Sequence, residues 1–188
     1  MLEFNAETHE YRQDGKLVPC VSNIIAPLHD FSAIPPSILE VKKEWGTVVH
    51  LYLEMYDKGT LDPDQSKWDE RMIPLIGAWQ RFKDQHGLNG KPLGIEERFY
   101  HNGLHYAGTR DRRWPGVIVE IKTCVPNDVT GVQLAAYAPP IPDASEHRLI
   151  ACFLDDKGSF KVSEYNYKKY FNIFMCCLTI YGFKQGGK

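Results

Sequence analysis

A short segment with strict alternation of side chains constrains the fold of this chain most. In Val117–Lys122, every second residue falls on the same face of a strand. One face carries Val117, Val119 and Ile121, and the other carries Ile118, Glu120 and Lys122. Leu104–Arg112 has the composition of a preceding strand, and Arg113–Gly116 that of the turn between the two. A hairpin centred between Pro115 and Gly116 places Asp111 directly across from Glu120.

Facing carboxylates make this hairpin a candidate cation site. Directly opposite Cβ atoms lie ~4.5–5.5 Å apart. Asp111 and Glu120 therefore repel each other unless their charges are compensated, and a hard divalent cation with oxygen ligands is one compensation. The alternative is an amphipathic hairpin whose Glu120–Lys122 pair is solvated on its outer face. The three residues alone leave both interpretations open.

A third carboxylate is predicted to join the same face. Glu96–Tyr100 has the composition of a further strand, and Asn102-Gly103 predicts a two-residue hairpin turn. That turn pairs Glu96 with Thr109, which has the same parity as Asp111. Glu96 then lies on the acidic face and Glu97 on the opposite face. The alternative for Glu96 is a charge on a strand surface.

Two helical segments supply further polar candidates. Gln133 and Tyr137 are four residues apart in a stretch rich in Leu and Ala, so they share a helix face. Their alternative is a surface pair packed against the sheet. His50 lies beside the apolar stripe of a long helix predicted to begin at Pro35-Pro36. A lone helical histidine is more often structural than a metal ligand. His50 is therefore a candidate ligand only because of the acidic residues downstream.

The order of elements predicts a mixed α/β (α+β) fold. A short helix capped by Ser22 precedes the long helix bearing His50, and the sequence α-α-β-β-β-α-β-β-α follows the N-terminal strand-like pieces. Beyond the three-strand core of about Leu93 to Thr123, the predicted elements are a helix at about Val129–Tyr137, strands at His147–Leu154 and Phe160–Tyr165, and a last helix at about Tyr167–Phe183. A second long helix is predicted at about Ser66–Gln85.

Taken in order, these motifs resemble the PD-(D/E)XK nuclease superfamily, in particular its RecB-like branch of phage and prophage exonucleases. The motifs are Gly46-Thr-Val-Val-His50, Glu96, Tyr106-Ala-Gly-Thr-Arg-Asp111, Glu120-Ile-Lys122-Thr123 and Gln133-Leu-Ala-Ala-Tyr137. The resemblance covers nearly the whole chain. It implies a single nuclease domain over residues 1–188 with a restriction-endonuclease-like core, a mixed central β-sheet flanked by α-helices.

The resemblance also implies a set of metal ligands. Asp111 and Glu120 would bind Mg²⁺ or Mn²⁺, as one or two ions, and the Ile121 carbonyl would be a third ligand. His50 matches an additional metal ligand of the family. Glu96 matches an upstream acid that helps to bind metal or water and so takes part in catalysis.

The catalytic residues implied by the resemblance are Lys122, Asp111, Glu120, Glu96 and Gln133. Lys122 would orient or deprotonate the attacking water. Gln133 and Tyr137 match a helix motif that braces the lysine and meets the DNA backbone. The chain departs from the family at Arg110, which stands where an apolar residue is usual before the aspartate. By parity Arg110 points away from the site, where we expect it to be solvent-exposed or bound to a partner.

DNA contacts are expected at the turn beside Asp111. The net charge of −2 argues against a large nucleic-acid interface. Arg112, Arg113 and Trp114 nevertheless offer backbone-binding arginines and a stacking aromatic, which suit single-stranded or frayed DNA.

Composition favours an intracellular globular enzyme. The chain of 188 residues is 43% hydrophobic, which suits one packed domain. We expect no signal peptide and no membrane association. The five cysteines are odd in number and scattered, which favours a reducing compartment such as the cytoplasm over a disulfide scaffold. No Cys-X-X-Cys occurs, so no iron–sulfur cluster is expected.

The function predicted from sequence is a Mg²⁺- or Mn²⁺-dependent deoxyribonuclease, most simply an exonuclease on linear DNA ends in phage-type recombination or repair. One alternative is a structure-specific or nicking endonuclease that uses the same site. Another is a catalytically weak DNA-binding or adaptor protein that retains the nuclease fold. A recombination partner protein and a homo-oligomer remain open.

Overall fold

The computed structural model describes residues 1–186 and contains two β-sheets. Its strands are β1 (Leu2–Asn5), β2 (Glu10–Gln13), β3 (Lys16–Val18), β4 (Gly94–His101), β5 (Tyr106–Trp114), β6 (Val117–Lys122), β7 (Arg148–Leu154) and β8 (Phe160–Tyr165). The central sheet has the order β4-β5-β6-β7-β8. Strands β6 and β7 are parallel and the other neighbours are antiparallel, so the predicted mixed sheet is confirmed.

Five α-helices flank the central sheet. They are α1 (Val21–Ile25), α2 (Pro36–Lys58), α3 (Met72–Gln85), α4 (Val129–Tyr137) and α5 (Tyr167–Gly186), with short 3₁₀ turns at Ala26–Leu28, Gln65–Lys67 and Ala144–Glu146. Within residues 1–186, no helix combines the length and the apolar character that crossing a membrane requires.

The two faces of the sheet are covered by different helices, as the alternation in β6 predicts. Val119 and Ile121 pack in one core with the buried residues of α2 and α3. Ile118 packs in the other core with α1, α4 and α5. Since neighbouring strand residues face opposite sides, Glu120 and Lys122 lie on the side covered by α4.

The small sheet β1-β2-β3 stands beside β5. Asp14 and Gly15 form the turn between β2 and β3, and both have positive φ values. The Tyr11 hydroxyl lies 2.6 Å from the Thr109 hydroxyl, and Cys20 forms a parallel bridge with Ala107. This contact brings the N-terminal segment to the face of β5 that carries Asp111.

The observed helix boundaries agree with the predictions in part. The long helix begins at Pro36 as predicted, and α4 matches its predicted bounds. The second long helix begins at Met72 and not near Ser66, because the Asp64 side chain accepts from Ser66 N–H and caps a separate 3₁₀ turn. Ser22 lies inside α1 and does not cap it, so that prediction is wrong.

The β4–β5 turn corrects the predicted register. Residues 102–105 form a four-residue loop, held by hydrogen bonds from Leu104 N–H to His101 Nδ1 and from His105 N–H to His101 O. Thr109 therefore pairs with Arg98 and not with Glu96. The displacement is an even number of residues, which preserves the predicted face. Glu96 now lies level with Asp111, between the pairs Ile95–Arg112 and Glu97–Arg110.

Candidate metal and catalytic site

The β5–β6 hairpin has the predicted register. Arg112 pairs with Val119, which brings Asp111 and Glu120 side by side one position further along the ladder. The Asp111 Oδ2 atom accepts a hydrogen bond of 2.7 Å from Ile121 N–H, and this contact fixes the carboxylate across the two strands. Asp111 is 6% exposed and Glu120 is 2% exposed, so both carboxyl groups are buried. The solvated alternative for this hairpin is therefore wrong.

His50 reaches the same point from α2. Its Nε2 atom lies 3.1 Å from the Ile121 carbonyl oxygen, and because a carbonyl only accepts, Nε2 carries the proton of this hydrogen bond. Its Nδ1 atom faces Asp111 Oδ1 at 3.6 Å and Glu96 Oε1 at 3.7 Å. One potential metal-ligating atom from each of His50, Glu96 and Asp111 lies within 4.8 Å of the other two, a spacing that suits a shared cation.

The Ile121 carbonyl is therefore a partner of His50 in this structure. A metal-binding histidine commonly donates its other ring N–H to a backbone carbonyl, which orients the ring. The contact between Nε2 and the Ile121 oxygen has this arrangement and leaves Nδ1 facing the carboxylates. That the same carbonyl is itself a metal ligand stays a prediction.

A buried arginine holds two of the acidic residues in place. Arg112 Nη1 donates to Glu96 Oε1 at 2.9 Å and to the Asp111 main-chain carbonyl at 2.6 Å. Arg112 Nε donates to Asp57 Oδ2 at 2.7 Å, and both side chains are 0% exposed. Asp57 also accepts from Trp79 Nε1 and Lys83 Nζ. Glu96 has a φ of 48°, a left-handed conformation that is uncommon without glycine and that these contacts stabilise.

Glu120 and Lys122 complete the cluster. The Lys122 Nζ atom donates to Glu120 Oε1 at 2.7 Å. The other oxygen, Glu120 Oε2, is buried and has no hydrogen-bond partner among residues 1–186. A buried carboxylate oxygen without a partner is costly, since it has lost its hydration without compensation. A cation beside it would remove that cost.

The charges in this cluster are strongly coupled. Burial lowers the pKa of His50, but the negative charges of Asp111 and Glu96 outweigh burial and raise this pKa to about 9. Burial, reinforced by the charge of Asp111, raises the pKa of Glu120 to about 7, and burial also raises the pKa of Asp111. For Lys122, burial is outweighed by Glu120 and Asp111, which raise its pKa. Protons on these groups therefore compete with a cation for the same negative charge.

The cluster lies at the wall of a cavity of about 220 Å³. His50, Glu96, Asp111, Glu120 and Lys122 line it, together with Gln133 and Tyr137 from α4 and with Tyr11 and Thr109. Gln133 Nε2 donates to the Tyr137 hydroxyl at 2.7 Å, so the two residues share a helix face as predicted. Gly108 has no room for a side chain, since a Cβ there would lie 3.0 Å from the rings of Phe99 and Tyr137.

The predicted DNA contacts at the β5–β6 turn are corrected by burial. Arg112 is 0% exposed and bound to Asp57 and Glu96, and Trp114 is 3% exposed in the core with α2 and α3. Neither side chain is available to DNA, because both are buried on the side of the sheet that α2 and α3 cover. Arg113 is partly exposed but binds Glu97 through two hydrogen bonds, and Tyr137 is buried at the cavity wall.

Arg110 is buried, so the expectation that it is solvent-exposed is wrong. It is 3% exposed, donates to Glu97 Oε2 and to the Tyr137 carbonyl, and lies 4.2 Å from the centre of the Phe99 ring. A buried guanidinium needs such a partner. Glu97 thus binds Arg110 and Arg113, whereas Glu96 contacts Arg112 and His50.

Asp57 was not predicted from the sequence. It lies seven residues after His50 on the same helix, and this spacing of two turns places both on one helix face. That spacing is a usable signal, but an aspartate near a helix end ordinarily indicates a surface charge. Its role depends on Arg112, which is remote in sequence.

The two neighbouring glutamates should respond differently to loss of charge. Glu96→Gln is expected to weaken Mn²⁺ binding at least about tenfold, because even residues that only support a ligand commonly contribute 10–100-fold. Glu97→Gln is expected to leave Mn²⁺ affinity unchanged and to lower the free energy of unfolding, because Arg110 and Arg113 lose their shared carboxylate. Titration calorimetry and urea unfolding measure the two effects. The opposite ranking of affinities would place Glu97, and not Glu96, at the cation.

Known proteins give no direct indication of the function of this chain, so the function is inferred from the geometry of the site and from the sequence motifs. No protein-family model matches the chain. No curated protein sequence matches it either.

Proposed function

We propose that this protein is a Mg²⁺- or Mn²⁺-dependent deoxyribonuclease with a restriction-endonuclease-like core. The observation that supports this most is the convergence of His50, Glu96 and Asp111 on one point, next to the unpartnered oxygen of buried Glu120. The mixed sheet flanked by helices is compatible with such a core. By sequence resemblance, the activity we propose is exonuclease action on linear DNA ends.

The residues present suit Mg²⁺ or Mn²⁺. Carboxylates are the preferred ligands of both ions, and neither ion needs a complete set of protein ligands because water fills the rest. Glu96, Asp111 and His50 would hold the ion, and the orphaned Glu120 oxygen would turn toward it. The chemistry such an ion supplies is Lewis acidity, which polarises a phosphoryl oxygen and lowers the pKa of water.

Lys122 is the residue that would act on the reacting atoms. Its ammonium group lies 2.7 Å from Glu120 at the wall of the cavity, among several carboxylates. A lysine among carboxylates keeps its proton, so Lys122 would donate hydrogen bonds and not accept a proton. It would orient the attacking water and offset the negative charge that develops on the phosphoryl group.

The Gln133–Tyr137 pair would complete the wall that faces the substrate. Both side chains line the same cavity as the acidic residues, and the Gln133 amide donates to the Tyr137 hydroxyl. The hydroxyl hydrogen of Tyr137 is then free to donate to a phosphate oxygen. Exclusion of water by these side chains would strengthen every electrostatic contact in the cavity.

Two observations favour a second candidate, a DNA-binding or adaptor protein with weak catalysis. The net charge is −2, and Arg112, which was expected to bind phosphate, is buried in an ion pair. A nucleic-acid interface usually requires accessible positive charge. An endonuclease that uses the same cavity is the enzymatic alternative.

One assay separates the three candidates. Purified protein is incubated with linear and with covalently closed circular DNA, each with Mn²⁺, with Mg²⁺ and with EDTA. Metal-dependent loss of linear DNA alone is the expected result and indicates an exonuclease. Loss of both DNAs would indicate an endonuclease. Survival of both DNAs with Mn²⁺ and also with Mg²⁺ would refute nuclease activity. A gel-shift assay with the same DNAs would then test whether the protein binds DNA as an adaptor.

A further inference from the structure

A second, larger cavity adjoins the cavity that His50, Glu96, Asp111 and Glu120 line, which we call the metal cavity. Its volume is about 480 Å³, against about 220 Å³ for the metal cavity. His9 and Cys20 line both cavities, so the two spaces are adjacent at these residues. The larger cavity extends from there between the β2–β3 segment, the β4–β5 loop and the C-terminal part of α5.

The two volumes suggest different contents. Sites that enclose an organic ligand usually measure ~300–1,000 Å³. The larger cavity falls in that range, whereas the metal cavity is below it. The metal cavity therefore suits a phosphate group with its cation and water, and the nucleoside attached to that phosphate must occupy neighbouring space.

The walls of the larger cavity suit a base and sugar better than a phosphate. Its apolar walls are formed by Leu17, Val18, Leu104, Leu178 and Tyr181. Hydrogen-bonding groups come from Asn23, Gln185, His105 and Glu10. Among the described lining residues there is no Lys or Arg, and the carboxylate of Glu10 would repel a phosphate. A nucleobase offers a flat apolar face and polar edges, which match this combination.

Backbone conformation marks the same region. Among residues 1–186, five non-glycine residues have positive φ, namely His9, Asp14, Glu96, His105 and Asp143. Three of the five, His9, Glu96 and His105, line one or both cavities. Strained backbone of this kind persists where surrounding contacts require it, and it is concentrated at binding and catalytic sites. The exposed His9 ring, which packs edge-on against Phe4 and Tyr11, lies where the two cavities are adjacent.

We propose that the larger cavity is a subsite for the bases of single-stranded DNA next to the phosphate that is cut, with His9 at the entrance. This inference rests on the proposed nuclease function and adds a substrate class to it. A base can enter the cavity only after it has left its stack in the duplex. The site would therefore act on single strands or frayed ends.

Gly182 offers a way to fill the cavity without changing the metal site. It lines the cavity from α5, and a Cβ built there meets no atom within 4 Å. Gly182→Trp would project a large side chain into the space. Gly182→Ala is the matched control, since it changes the helix backbone in the same way but adds almost no volume.

The test is a scan with abasic sites. Both Gly182 variants are made in the Lys122→Ala background, which is expected to bind DNA but to cut it on the order of 10²–10³ times more slowly. Single-stranded oligonucleotides carry one abasic site at successive positions, and binding in Mn²⁺ is measured by fluorescence anisotropy. With Gly182→Ala, an abasic site at one or two adjacent positions should weaken binding by about tenfold, the scale of one stacked base. Gly182→Trp should bind the intact strand about as weakly as Gly182→Ala binds the strand with the critical abasic site. The position of the abasic site should then no longer affect binding to Gly182→Trp.

The outcomes separate this inference from the proposed function. An identical abasic profile in both Gly182 variants, with wild-type protein still cutting DNA, overturns the base subsite alone. Absence of both cutting by the wild type and binding in Mn²⁺ overturns the proposed function and this inference with it. If Gly182→Trp does not fold, as judged by its thermal transition, Leu17→Trp fills the cavity from the opposite wall. Leu17 is 59% exposed, so that substitution should leave the core intact.

Discussion

The Lys122→Ala variant is expected to cut DNA slower by a factor on the order of 10²–10³, the scale of losing one charge-stabilising donor in a catalytic site. Lys122 is the one cationic side chain that donates to Glu120 in the described cavity. Its loss removes the group that would orient water and offset charge on the phosphoryl group. Binding of Mn²⁺ should persist, because His50, Glu96 and Asp111 are unchanged.

Single-turnover cleavage of linear DNA and calorimetric titration with Mn²⁺ measure the two properties separately. Asp111→Asn is the contrasting variant, since it should lose Mn²⁺ affinity and cleavage together. Lys161→Ala, at an exposed position of β8, is the control for a general loss of positive charge. Cleavage by Lys122→Ala at the wild-type rate would remove Lys122 from the reaction.

The Arg112→Met variant is expected to lose about 3–5 kcal/mol of the free energy of unfolding, the usual cost of breaking a buried ion pair. Arg112 and Asp57 are each 0% exposed and lie 2.7 Å apart. Methionine retains much of the volume but leaves the Asp57 carboxylate with Lys83 and Trp79 alone. Glu96 also loses the donor that holds its oxygen at 2.9 Å, so Mn²⁺ affinity should fall in the fraction that folds.

Arg113→Met is the matched control for this measurement. Arg113 is the next residue in the strand, but it is partly exposed, and its partner Glu97 keeps a second arginine. Its loss should cost about 1 kcal/mol or less, as for accessible ion pairs. Urea unfolding without metal compares the two variants. Equal destabilisation would show that Arg112 has no special role, and weakened DNA binding by Arg112→Met at full stability would restore it as a DNA contact.

Much of the site could be predicted because strand geometry is local. The hairpin around Pro115-Gly116 has the predicted register, since a short turn leaves the chain few ways to pair. The face of Glu96 was also predicted, although the loop after it is longer than expected. A slip by two residues returns each side chain to its original face, so this prediction tolerated the error.

The DNA contacts could not be predicted in this way. Arg112 and Trp114 sit beside a turn, where polar and aromatic residues are usually accessible. Parity places them on the same face as Val117 and Val119. The helices α2 and α3 extend far enough to cover this end of the face. No local sequence pattern predicts where they end relative to the strand.

The sequence by itself determined the alternation of β6, the helix face shared by Gln133 and Tyr137, and the approach of Asp111 to Glu120, because these follow from the spacing of residues within one or two neighbouring elements. Only the tertiary structure decided the pairing of Arg112 with Asp57, the contacts of Arg112 and His50 with Glu96 and Asp111, and the adjacency of two cavities at His9 and Cys20. These contacts join elements far apart in the chain. They form only when the helices and sheets pack together. The favoured packing is the one with the lowest free energy for the whole core, which no single segment determines.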